Sequence, residues 1–455
     1  MPGKRSTYTQ FILVAAIYFC ASASYLIVNG IGGGGLKDPS IAAQSNLIAN
    51  IVSLVTGLFA GAFHNYLGPR ISLLLGCIAY LFFGFSYLIY GWTNFKYIIY
   101  IAGAFFGLII TLFWTAQGSL MLSYPTEEHR SKYLTTFFVA FSASGAVGGI
   151  LTFSLNFNNT GLSLGTATYW AAIAVAGLGV ALVFLLRPNS ALIRDDGTSV
   201  PEEKFQGWLV EVRGLSDTLR NRHILMLIPL FMFLGTYFTY ITNCYNLSLF
   251  RIRTRGLNVI FFSVFGTIGS LAFGLFMRKC KLPTRQKGLL ATLIFTTLIC
   301  ASWISAYFVQ RPVKRGHTGE VVDFEQPYYW SIIIIYCIWG FLDSSLNAFG
   351  FWILGYLTND TQKQARYTAF TRFLQSTGGV LSWGIDSAQI PYILELWVTF
   401  TFLILAMVSA ATTITSIKFP KDTDSMETNS MDLSLEEETK YPSAKVQTEK
   451  TNYGV

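Results

Sequence analysis

The 455-residue chain is 52% hydrophobic and only 12% charged, and it contains 38 Phe, 24 Tyr and 10 Trp. Soluble domains carry roughly 25% charged residues, so this composition excludes an ordinary soluble protein and indicates a chain that crosses the membrane many times. The formal net charge of +8 therefore bears on membrane orientation and on contact with anionic lipid. No nucleic-acid motif accompanies that charge, and we expect membrane lipid as a partner and no nucleic acid.

Twelve apolar stretches follow one another along the chain, and each has about the 20 residues that a helix needs to cross the hydrocarbon core. The six predicted spans before a long polar interval are 11–30, 42–63, 71–91, 97–122, 134–154 and 167–186. The six after it are 224–249, 257–277, 288–309, 328–355, 366–386 and 391–417. We therefore predict an all-α polytopic membrane protein in which residues 1–186 and 224–417 each form a six-helix bundle.

The polar interval at 187–223 separates the two predicted bundles. It contains six basic residues, which are Arg187, Arg194, Lys204, Arg213, Arg220 and Arg222. The positive-inside rule therefore places this linker in the cytosol together with both termini. In that arrangement only eight of the 32 Lys and Arg residues lie in outer loops. Arg251, Arg253 and Arg255 are among those eight, so the assignment is weaker in the second half.

The later part of the linker has the pattern of a helix. Ser199 and Glu202 have the spacing of a capping box. Apolar residues recur at helical spacing at Phe205, Trp208, Leu209, Val212, Leu215 and Leu219. We predict an amphipathic helix in the inner membrane interface or against the two bundles, and the alternative is a solvated linker. The tail at 418–455 is rich in Ser, Thr and charged residues and is predicted to be disordered in the cytosol.

The cysteines and histidines give no indication of a metal or a cofactor. The cysteines fall in predicted spans or in a loop assigned to the cytosol, so we expect free thiols and no disulfide. The four histidines are isolated along the chain, and no nucleophile–base pair or phosphate-binding loop stands out. We therefore expect no catalytic residue, no bound metal and no cofactor, and the protein is predicted not to be an enzyme.

Asp343 is the acidic residue that the predicted spans place deepest in the membrane. Roughly 12 to 15 residues separate it from either end of its span, which is about 20 Å at helical rise. An ionised carboxylate at that depth is costly and usually faces a bundle interior or a wet cavity. It is therefore either a site residue or a structural acid that holds two helices together. Arg372 is predicted to snorkel to the inner interface, and Asp386 and Glu395 to end their helices or line an outer vestibule.

The loop between spans two and three resembles the inner-loop motif of the major facilitator superfamily. The matching residues are Gly61, Asn65, Gly68 and Arg70, and Asn65 stands where that motif carries Asp. The resemblance implies a tight turn at the glycines and a charged group that latches neighbouring helices. From the residues alone, a turn with one cytoplasmic Arg is an equally good interpretation.

More specific motifs resemble the Unc-93-like family, a branch of that superfamily. They are Gly30–Gly35, Trp114–Gly118, Tyr124–Glu128, Trp339–Asp343, Phe351–Tyr356 and Gly378–Trp383. The likeness is strongest over 29–150 and 336–386, and it is closest to fungal Unc-93-like proteins. It implies the major facilitator fold, with twelve transmembrane helices in two pseudo-symmetric six-helix bundles. Members of the family resemble solute transporters, yet some regulate potassium channels or escort membrane receptors.

Spans one, four, seven and ten line the central cavity in the superfamily that the chain resembles, and each carries polar residues here. The substrate-cavity candidates are Asn29, Gln117, Tyr240, Asn243 and Asp343. A cavity for a small polar solute needs such residues. Hydrogen bonding between helices of a non-transporting bundle would produce much of the same pattern.

The leading interpretation is a multi-pass integral membrane protein that carries a small solute or ion by alternating access. The alternative is a non-transporting regulator or trafficking escort of other membrane proteins, such as ion channels or receptors. The expected partners are membrane lipid, an unidentified solute or ion and, in the alternative, another membrane protein. The plasma membrane and the endomembranes both fit the sequence.

Overall fold

A computed structural model describes residues 7–125, 130–159, 161, 163–194, 197–200, 208–315, 321–357, 361–417 and 419. Within these residues the chain is helical, and its β-structure is limited to two isolated bridges. The prediction of an all-α protein is confirmed at this level. Glu202 of the predicted capping box, Phe205 of the predicted linker helix and nearly all of the predicted tail lie outside the described residues.

The helices before the linker fall in the order of the first six predicted spans. They are α1 (Thr7–Asn29), α2 (Pro39–Gly57), α3 (Ala60–Leu67), α4 (Pro69–Thr93), α5 (Tyr97–Ser123), α6 (Arg130–Leu155) and α7 (Thr166–Val183). Asp38 caps α2 by accepting a hydrogen bond from the Ser40 amide at 3.0 Å. Pro39 takes the first helical position, where a missing N–H is tolerated. At its C-terminal end, α4 stops at Asn94, which adopts the left-handed conformation.

Besides a short 3-10 helix (Asn189–Ala191), the described residues of the linker and the second half contain ten further α-helices and one π-helical turn. They are α8 (Trp208–Arg220), α9 (Arg222–Met226), α10 (Ile228–Leu234), α11 (Tyr237–Thr239), the π-helical turn (Tyr240–Asn246), α12 (Leu247–Leu249), α13 (Ile252–Lys279), α14 (Thr284–Gln310), α15 (Pro327–Gly355), α16 (Thr361–Ser387) and α17 (Tyr392–Ser416). The stretch predicted as a single seventh span is therefore a series of short pieces. Pro229 contributes to the first break, because it has no N–H to continue the ladder from α9 into α10. Helix α8 packs against α16, where the Gly214 backbone lies beside the Arg366 side chain.

Nine helices of the described residues are long and apolar enough to cross a membrane. Helices α2 and α3, which meet at a bend of 72°, make a tenth span if they are counted together. The predicted spans 224–249 and 366–386 are not among these ten, because neither is a long, continuous and apolar helix. The α9–α12 stretch is interrupted, and α16 carries Arg366, Arg372 and Asp386 along its 27 residues. The chain is a multi-pass integral membrane protein.

Buried apolar side chains form two clusters that divide at the linker. One draws on residues 11–200, together with two residues of α13, and the other draws on residues 224–417. The two sides of the molecule meet where α6 packs against α13 and where α2 packs against α16. A small residue permits close approach at the first crossing, because a Cβ added at Gly149 would lie 2.8 Å from the Ile260 amide nitrogen.

Hydrogen bonds also join the two sides at the end of the molecule that holds the Gly30–Gly35 loop, called the loop end below. The Gly33 amide donates to Asn243 Oδ1 at 3.0 Å. Gly32 has a φ of +81°, and a Cβ there would lie 2.3 Å from the Thr242 carbonyl oxygen, so both the backbone and the space require glycine. The opposite end, which holds α3 and α8, is called the linker end.

Asp323 ties the loop between α14 and α15 to the start of α13. Its buried carboxylate accepts hydrogen bonds from Arg253 Nη2 at 2.6 Å and from Thr254 Oγ1 at 2.7 Å. Burial alone would raise the pKa of Asp323. The hydrogen bonds from Arg253 and Thr254, together with the Arg253 charge, outweigh burial and hold that pKa below its ordinary value.

Replacing Asp323 with Asn is expected to lower the free energy of unfolding at neutral pH by roughly 1.5–3 kcal/mol, because hydrogen bonds to a charged group are lost. A depressed folded-state pKa stabilises the protein above the unfolded-state pKa of about 3.9, and this stabilisation is lost as the pH falls through the folded-state value. Melting temperatures of wild type and Asp323→Asn across an acid series check this, and the two should converge below about pH 4. Glu325→Gln is the control, because Glu325 pairs with the same Arg253 while 63% exposed. A gap for Asp323→Asn that does not change with pH would contradict the prediction.

Candidate functional site

The middle of α15 places a carboxylate and an amide one helical turn apart. Asp343 Oδ1 accepts a hydrogen bond from the Tyr237 hydroxyl at 2.7 Å. Asn347 Nδ2 donates to the Asp343 carbonyl oxygen at 2.9 Å. Tyr237 reaches this position because α10 ends at Leu234 and the chain turns before α11 begins. A phenol therefore provides the hydrogen bond to an acid placed in the middle of a span.

The Asn347 amide extends these contacts from α15 to α16. Gln375 Nε2 donates to Asn347 Oδ1 at 3.2 Å, and Arg372 Nη1 donates to Gln375 Oε1 at 3.0 Å. These contacts make a connected row of polar groups inside the bundle, in which the link between Asn347 and Asp343 runs through the Asp343 main-chain carbonyl. We call it the central polar chain, and its members are Tyr237, Asp343, Asn347, Gln375 and Arg372.

Arg372 connects the central polar chain to α5, on the other side of the linker. Its guanidinium carbon lies 4.8 Å from the centroid of the Trp114 ring and 5.9 Å from that of the Phe351 ring. Trp is the strongest cation–π partner, and such contacts stabilise by about 0.5–2 kcal/mol. The prediction that Arg372 snorkels to the interface is therefore wrong, because its side chain contacts two aromatic rings and Gln375 inside the bundle.

The acid and the base of the central polar chain do not pair with each other. The ion pairs found in the described part of the chain take their bases from Arg251, Arg253 and Arg315, and none includes Asp343 or Arg372. A buried charge without an opposite charge beside it is costly. Binding of a proton or of a charged solute therefore releases more free energy there than it would at a site where the two charges are paired.

The other predicted cavity residues lie apart from Asp343. Gln117 on α5 donates to a methionine sulfur one turn later, and Asn29 Oδ1 accepts a hydrogen bond from an asparagine of α2 at 3.0 Å. Tyr240 and Asn243 belong to the π-helical turn, towards the loop end. In the described residues, no hydrogen bond joins any of these four side chains to Asp343. Of the five candidates, the central polar chain includes Asp343 alone.

A second polar group is buried at the loop end. Arg315 Nη2 pairs with Asp386 Oδ1 at 2.9 Å and with the Glu395 carboxylate. Cys244 Sγ donates to Glu395 Oε2 at 3.0 Å, and Asn243 Nδ2 donates to Asp386 Oδ2 at 2.6 Å. We call these five residues the loop-end cluster. Asp386 lies in the last turn of α16 and Glu395 in the first turn of α17, as predicted for residues that end their helices. They are 2% and 3% exposed, so they are buried in this cluster and do not line an open vestibule.

Arg315 is the residue of the loop-end cluster that the sequence patterns missed. Burial lowers the pKa of Arg315, but its neighbours Cys244, Glu395 and Asp386 raise it, and the resulting pKa is above the ordinary value. The sequence did indicate that a basic residue is needed here. Asp386 and Glu395 lie at the loop-end termini of consecutive helices, and buried carboxylates need a counter-charge at the same depth. The ligand atoms of Cys244, Asp386 and Glu395 lie within 4.8 Å of one another, but a metal ion there would have to displace the Arg315 guanidinium.

The inner-loop motif forms a tight turn at the linker end. Gly68 separates α3 from α4 with a φ of +78°, which side chains with a Cβ rarely adopt. Arg70 Nη2 donates to the Phe184 carbonyl oxygen at 3.1 Å, just beyond the end of α7. Arg70 therefore latches onto a helix C-terminus and not onto an acid. Gly61 lies within α3, and Asn65 lines a cavity of about 520 Å³ beside this turn.

Comparison with known proteins identifies the family. The family model described as "Ion channel regulatory protein UNC-93" matches residues 44–413. The chain belongs to the UNC-93 family. An UNC93-like protein of Schizosaccharomyces pombe is 30% identical over 392 residues, which cover 85% of this chain and 78% of that protein. UNC93-like protein 1 of Arabidopsis thaliana is 28% identical over 405 residues, with 87% of each chain covered. The resemblance drawn from the motifs is confirmed.

A solved structure relates this UNC-93 family member to a transporter fold. The crystal structure of the E. coli fucose:proton symporter matches with a TM-score of 0.60 at 13% sequence identity. The match covers 90% of this chain and 99% of the symporter. At that identity the likeness concerns the fold alone. The chain is therefore an UNC-93 family membrane protein whose fold is similar to that of the symporter.

Proposed function

We propose that this UNC-93 family protein is a secondary carrier that moves a small solute or ion by alternating access. The observation that carries the proposal is the central polar chain, in which Asp343 and Arg372 both lie inside the bundle and are not paired with each other. Two amides connect Arg372 to the main-chain carbonyl of Asp343, while the Asp343 carboxylate is held by Tyr237. Well-packed apolar residues at such positions would often be as stable or more stable. The cost of keeping both charges inside the membrane favours a role in binding or coupling.

In this proposal the central polar chain receives the solute between the two halves of the molecule. Arg372 contacts Trp114 of the first half, and Asp343 is held by Tyr237 of the second half. A solute that takes over either contact, or a proton that neutralises Asp343, changes the relative free energy of the inward-facing and outward-facing states. Access from the loop end requires the hydrogen bond between Gly33 and Asn243 to break.

We also propose twelve membrane spans in two pseudo-symmetric bundles, at residues 1–186 and 224–417. The division of the buried clusters at the linker supports this arrangement, as does the likeness to the whole length of a symporter. The interrupted α9–α12 stretch and the polar helix α16 would supply the two spans outside the hydropathy count. The linker at 187–223, the tail at 418–455 and the N-terminus would lie in the cytosol.

Cysteine labelling tests that orientation. Asp217 on α8 and Lys96 before α5 are both exposed, and the proposal places them on opposite sides of the membrane. Asp217→Cys is expected to react with a membrane-impermeant maleimide only after permeabilisation, whereas Lys96→Cys should react in intact cells. The wild type, whose six cysteines are free but buried or partly buried, gives the background. The reverse labelling pattern would overturn the proposed topology.

Transport itself is tested with purified protein in sealed lipid vesicles. Uptake is measured for a panel of radiolabelled ions and small polar solutes, with and without an imposed pH gradient. Saturable uptake of at least one member, absent from protein-free vesicles, is the expected result. If folded protein of confirmed orientation takes up no member of the panel, the carrier proposal loses its support.

A second candidate function is a regulator or trafficking escort of another membrane protein, and the description of the matching family model favours it. In that case the partner would bind a lipid-facing surface, and the central polar chain would serve only to hold helices together. Co-expression with candidate channels separates the two functions. If the protein is a regulator, the wild type and a folded Asp343→Asn variant should change the channel current or the channel's surface density to the same extent.

A further inference from the structure

A small cavity lies beside the loop-end cluster, between the π-helical turn, α16 and α17. Its volume is about 10 Å³, which is close to the least that holds one water-sized particle. Six of the nine residues that line it carry a side-chain oxygen, namely Thr236, Thr239, Tyr240, Ser382, Glu395 and Thr399. The apolar remainder is Ile385, Val398 and Phe402.

The Tyr240 side chain lines this cavity, and its hydroxyl has no hydrogen-bond partner among the described residues. Its side chain is 1% exposed. Tyr240 and Glu395 line the same cavity, and Cys244 belongs to the same π-helical turn as Tyr240, so the Tyr240 side chain lies beside the loop-end cluster. Buried polar groups in native proteins nearly always have a partner, and an exception calls for a ligand, an ion or a water.

Two threonine hydroxyls of the cavity wall donate their protons to main-chain carbonyl oxygens. Thr236 Oγ1 donates to the Phe233 carbonyl oxygen at 2.7 Å, and Thr399 Oγ1 donates to the Glu395 carbonyl oxygen at 2.7 Å. A hydroxyl has one proton and two lone pairs, so these oxygens can offer only lone pairs to an occupant of the cavity. Lone pairs on several oxygens, with a carboxylate among them, suit a cation.

The charge balance of the loop-end cluster also favours a bound cation. Asp386 and Glu395 carry two negative charges when ionised, and Arg315 carries one positive charge, which leaves one negative charge in excess. Arg255, another buried cation near this end, donates to the Phe250 carbonyl oxygen and enters none of the ion pairs of the described residues. An uncompensated charge in the interior is costly, and one positive charge beside Glu395 would remove the excess.

We infer that this cavity is a binding site for one monovalent cation of the size of Na⁺ or K⁺, held by the Glu395 carboxylate and by hydroxyl oxygens that include that of Tyr240. A divalent ion would replace the single excess negative charge by an excess positive charge, and Mg²⁺ would keep several waters, for which a cavity of this size has no room. A thiol-bound transition metal would require Cys244 to lose its proton and Arg315 to leave the cluster. The monovalent cation needs neither change.

Thermal stability in different salts tests the site without any transport measurement. Wild-type protein in detergent is melted at one pH and one ionic strength, in mixtures of NaCl, KCl and choline chloride. A ligand that binds only the folded protein raises the melting temperature by mass action. We expect a rise of roughly 2–4 °C with Na⁺ or K⁺ that grows with the logarithm of the cation concentration above its Kd. Equal melting temperatures in all three salts would overturn the proposal and leave a water as the occupant.

Tyr240→Phe distinguishes a cation ligand from a structural side chain. The removed hydroxyl has no partner, so stability in choline chloride should stay the same or rise. The cation concentration needed to raise the melting temperature by a given amount should increase about tenfold or more, because the Kd increases by that factor. Tyr245→Phe is the matched control on the same turn, because its hydroxyl donates to the Ile332 carbonyl oxygen at 3.1 Å and should lose the same stability in every salt. If Tyr240→Phe needs the same cation concentration as the wild type for the same rise, the assignment is contradicted.

Direct binding of ²²Na⁺ to wild-type protein provides a second readout that does not depend on any variant folding. Bound isotope should be displaced by unlabelled NaCl or KCl and not by choline chloride. Isotope that is not retained, together with equal melting in all salts, would rule the site out. Because both measurements report binding, they can succeed even if the carrier proposal fails.

Discussion

Asp343→Asn is expected to reduce transport at least tenfold while leaving the fold intact. The amide keeps the size of the side chain, and its oxygen can still accept the hydrogen bond from Tyr237, which spans 2.7 Å in the wild type. What the variant loses is a carboxylate that can change its charge in the middle of a span. If the cycle depends on that change, the charged and neutral states no longer favour different conformations. Initial uptake rates of the solute identified by the panel, measured with and without a pH gradient, check this.

Asp217→Asn is the matched control for this prediction, because Asp217 is an exposed acid on α8 and should not affect uptake. Uptake that survives Asp343→Asn with its dependence on the pH gradient unchanged would show that Asp343 does not couple transport. A collapse of the yield of folded protein would instead support a structural acid. Asp343→Glu then distinguishes a coupling acid from a structural acid, because it keeps the charge but not the exact packing. Transport should be retained if Asp343 couples transport, and the yield of folded protein should fall if its role is structural.

Most of the membrane architecture could be read from the sequence, because long apolar runs respond to a single physical requirement. A span must bury its backbone polar groups in a helix and present apolar side chains to lipid. The same logic fails where a span is neither continuous nor apolar. The stretch from α9 to α12 contains Pro229 and a run of polar residues, and its breaks depend on neighbours in space. The bend between α2 and α3 likewise has no strong signal, since Gly57 and Gly61 fit a straight span as well.

Asp343 was recognisable from its depth, but its partners were not. Tyr237 meets Asp343 only because the break after α10 sets the rotation of α11, and periodicity carries no information about that rotation. Arg372 illustrates the opposite error. Its distance from the end of its span favours snorkelling, yet a ring from another helix, Trp114, holds it inside the bundle. In both cases the contacts of the side chain are determined by residues of other helices, and the position of the residue along its own span does not predict them.

The loop-end cluster was missed because its members come from distant parts of the sequence. Arg315 lies 71 residues from Asp386 and 80 residues from Glu395. A loop has no periodicity from which the direction of an arginine could be inferred. The cluster could still be anticipated in outline, because two acids at one end of adjacent spans create a demand for positive charge nearby.

Arg315→Gln is expected to lower the free energy of unfolding by about 3–5 kcal/mol, because it leaves Asp386 and Glu395 buried without a counter-charge. The glutamine can keep a hydrogen bond to one carboxylate, but it cannot balance the charge of either. The loss should appear as a large drop in the melting temperature of the detergent-solubilised protein and in the yield of folded material. Arg311→Gln, an exposed position in the same loop, should change stability by less than about 0.5 kcal/mol.

The double variant Arg315→Gln with Glu395→Gln decides whether charge is the cause. Removing one carboxylate restores the net charge that the cluster has in the wild type, so the double variant should be more stable than Arg315→Gln alone. The interaction energy from the full double-mutant cycle should then be at least about 1 kcal/mol, as expected for residues in direct contact. If the two substitutions destabilise additively, Arg315 stabilises the loop through packing against Tyr392, whose ring lies 4.5 Å from its guanidinium carbon. In that outcome the ion pairs would contribute little, because desolvation of three charged groups would offset their attraction.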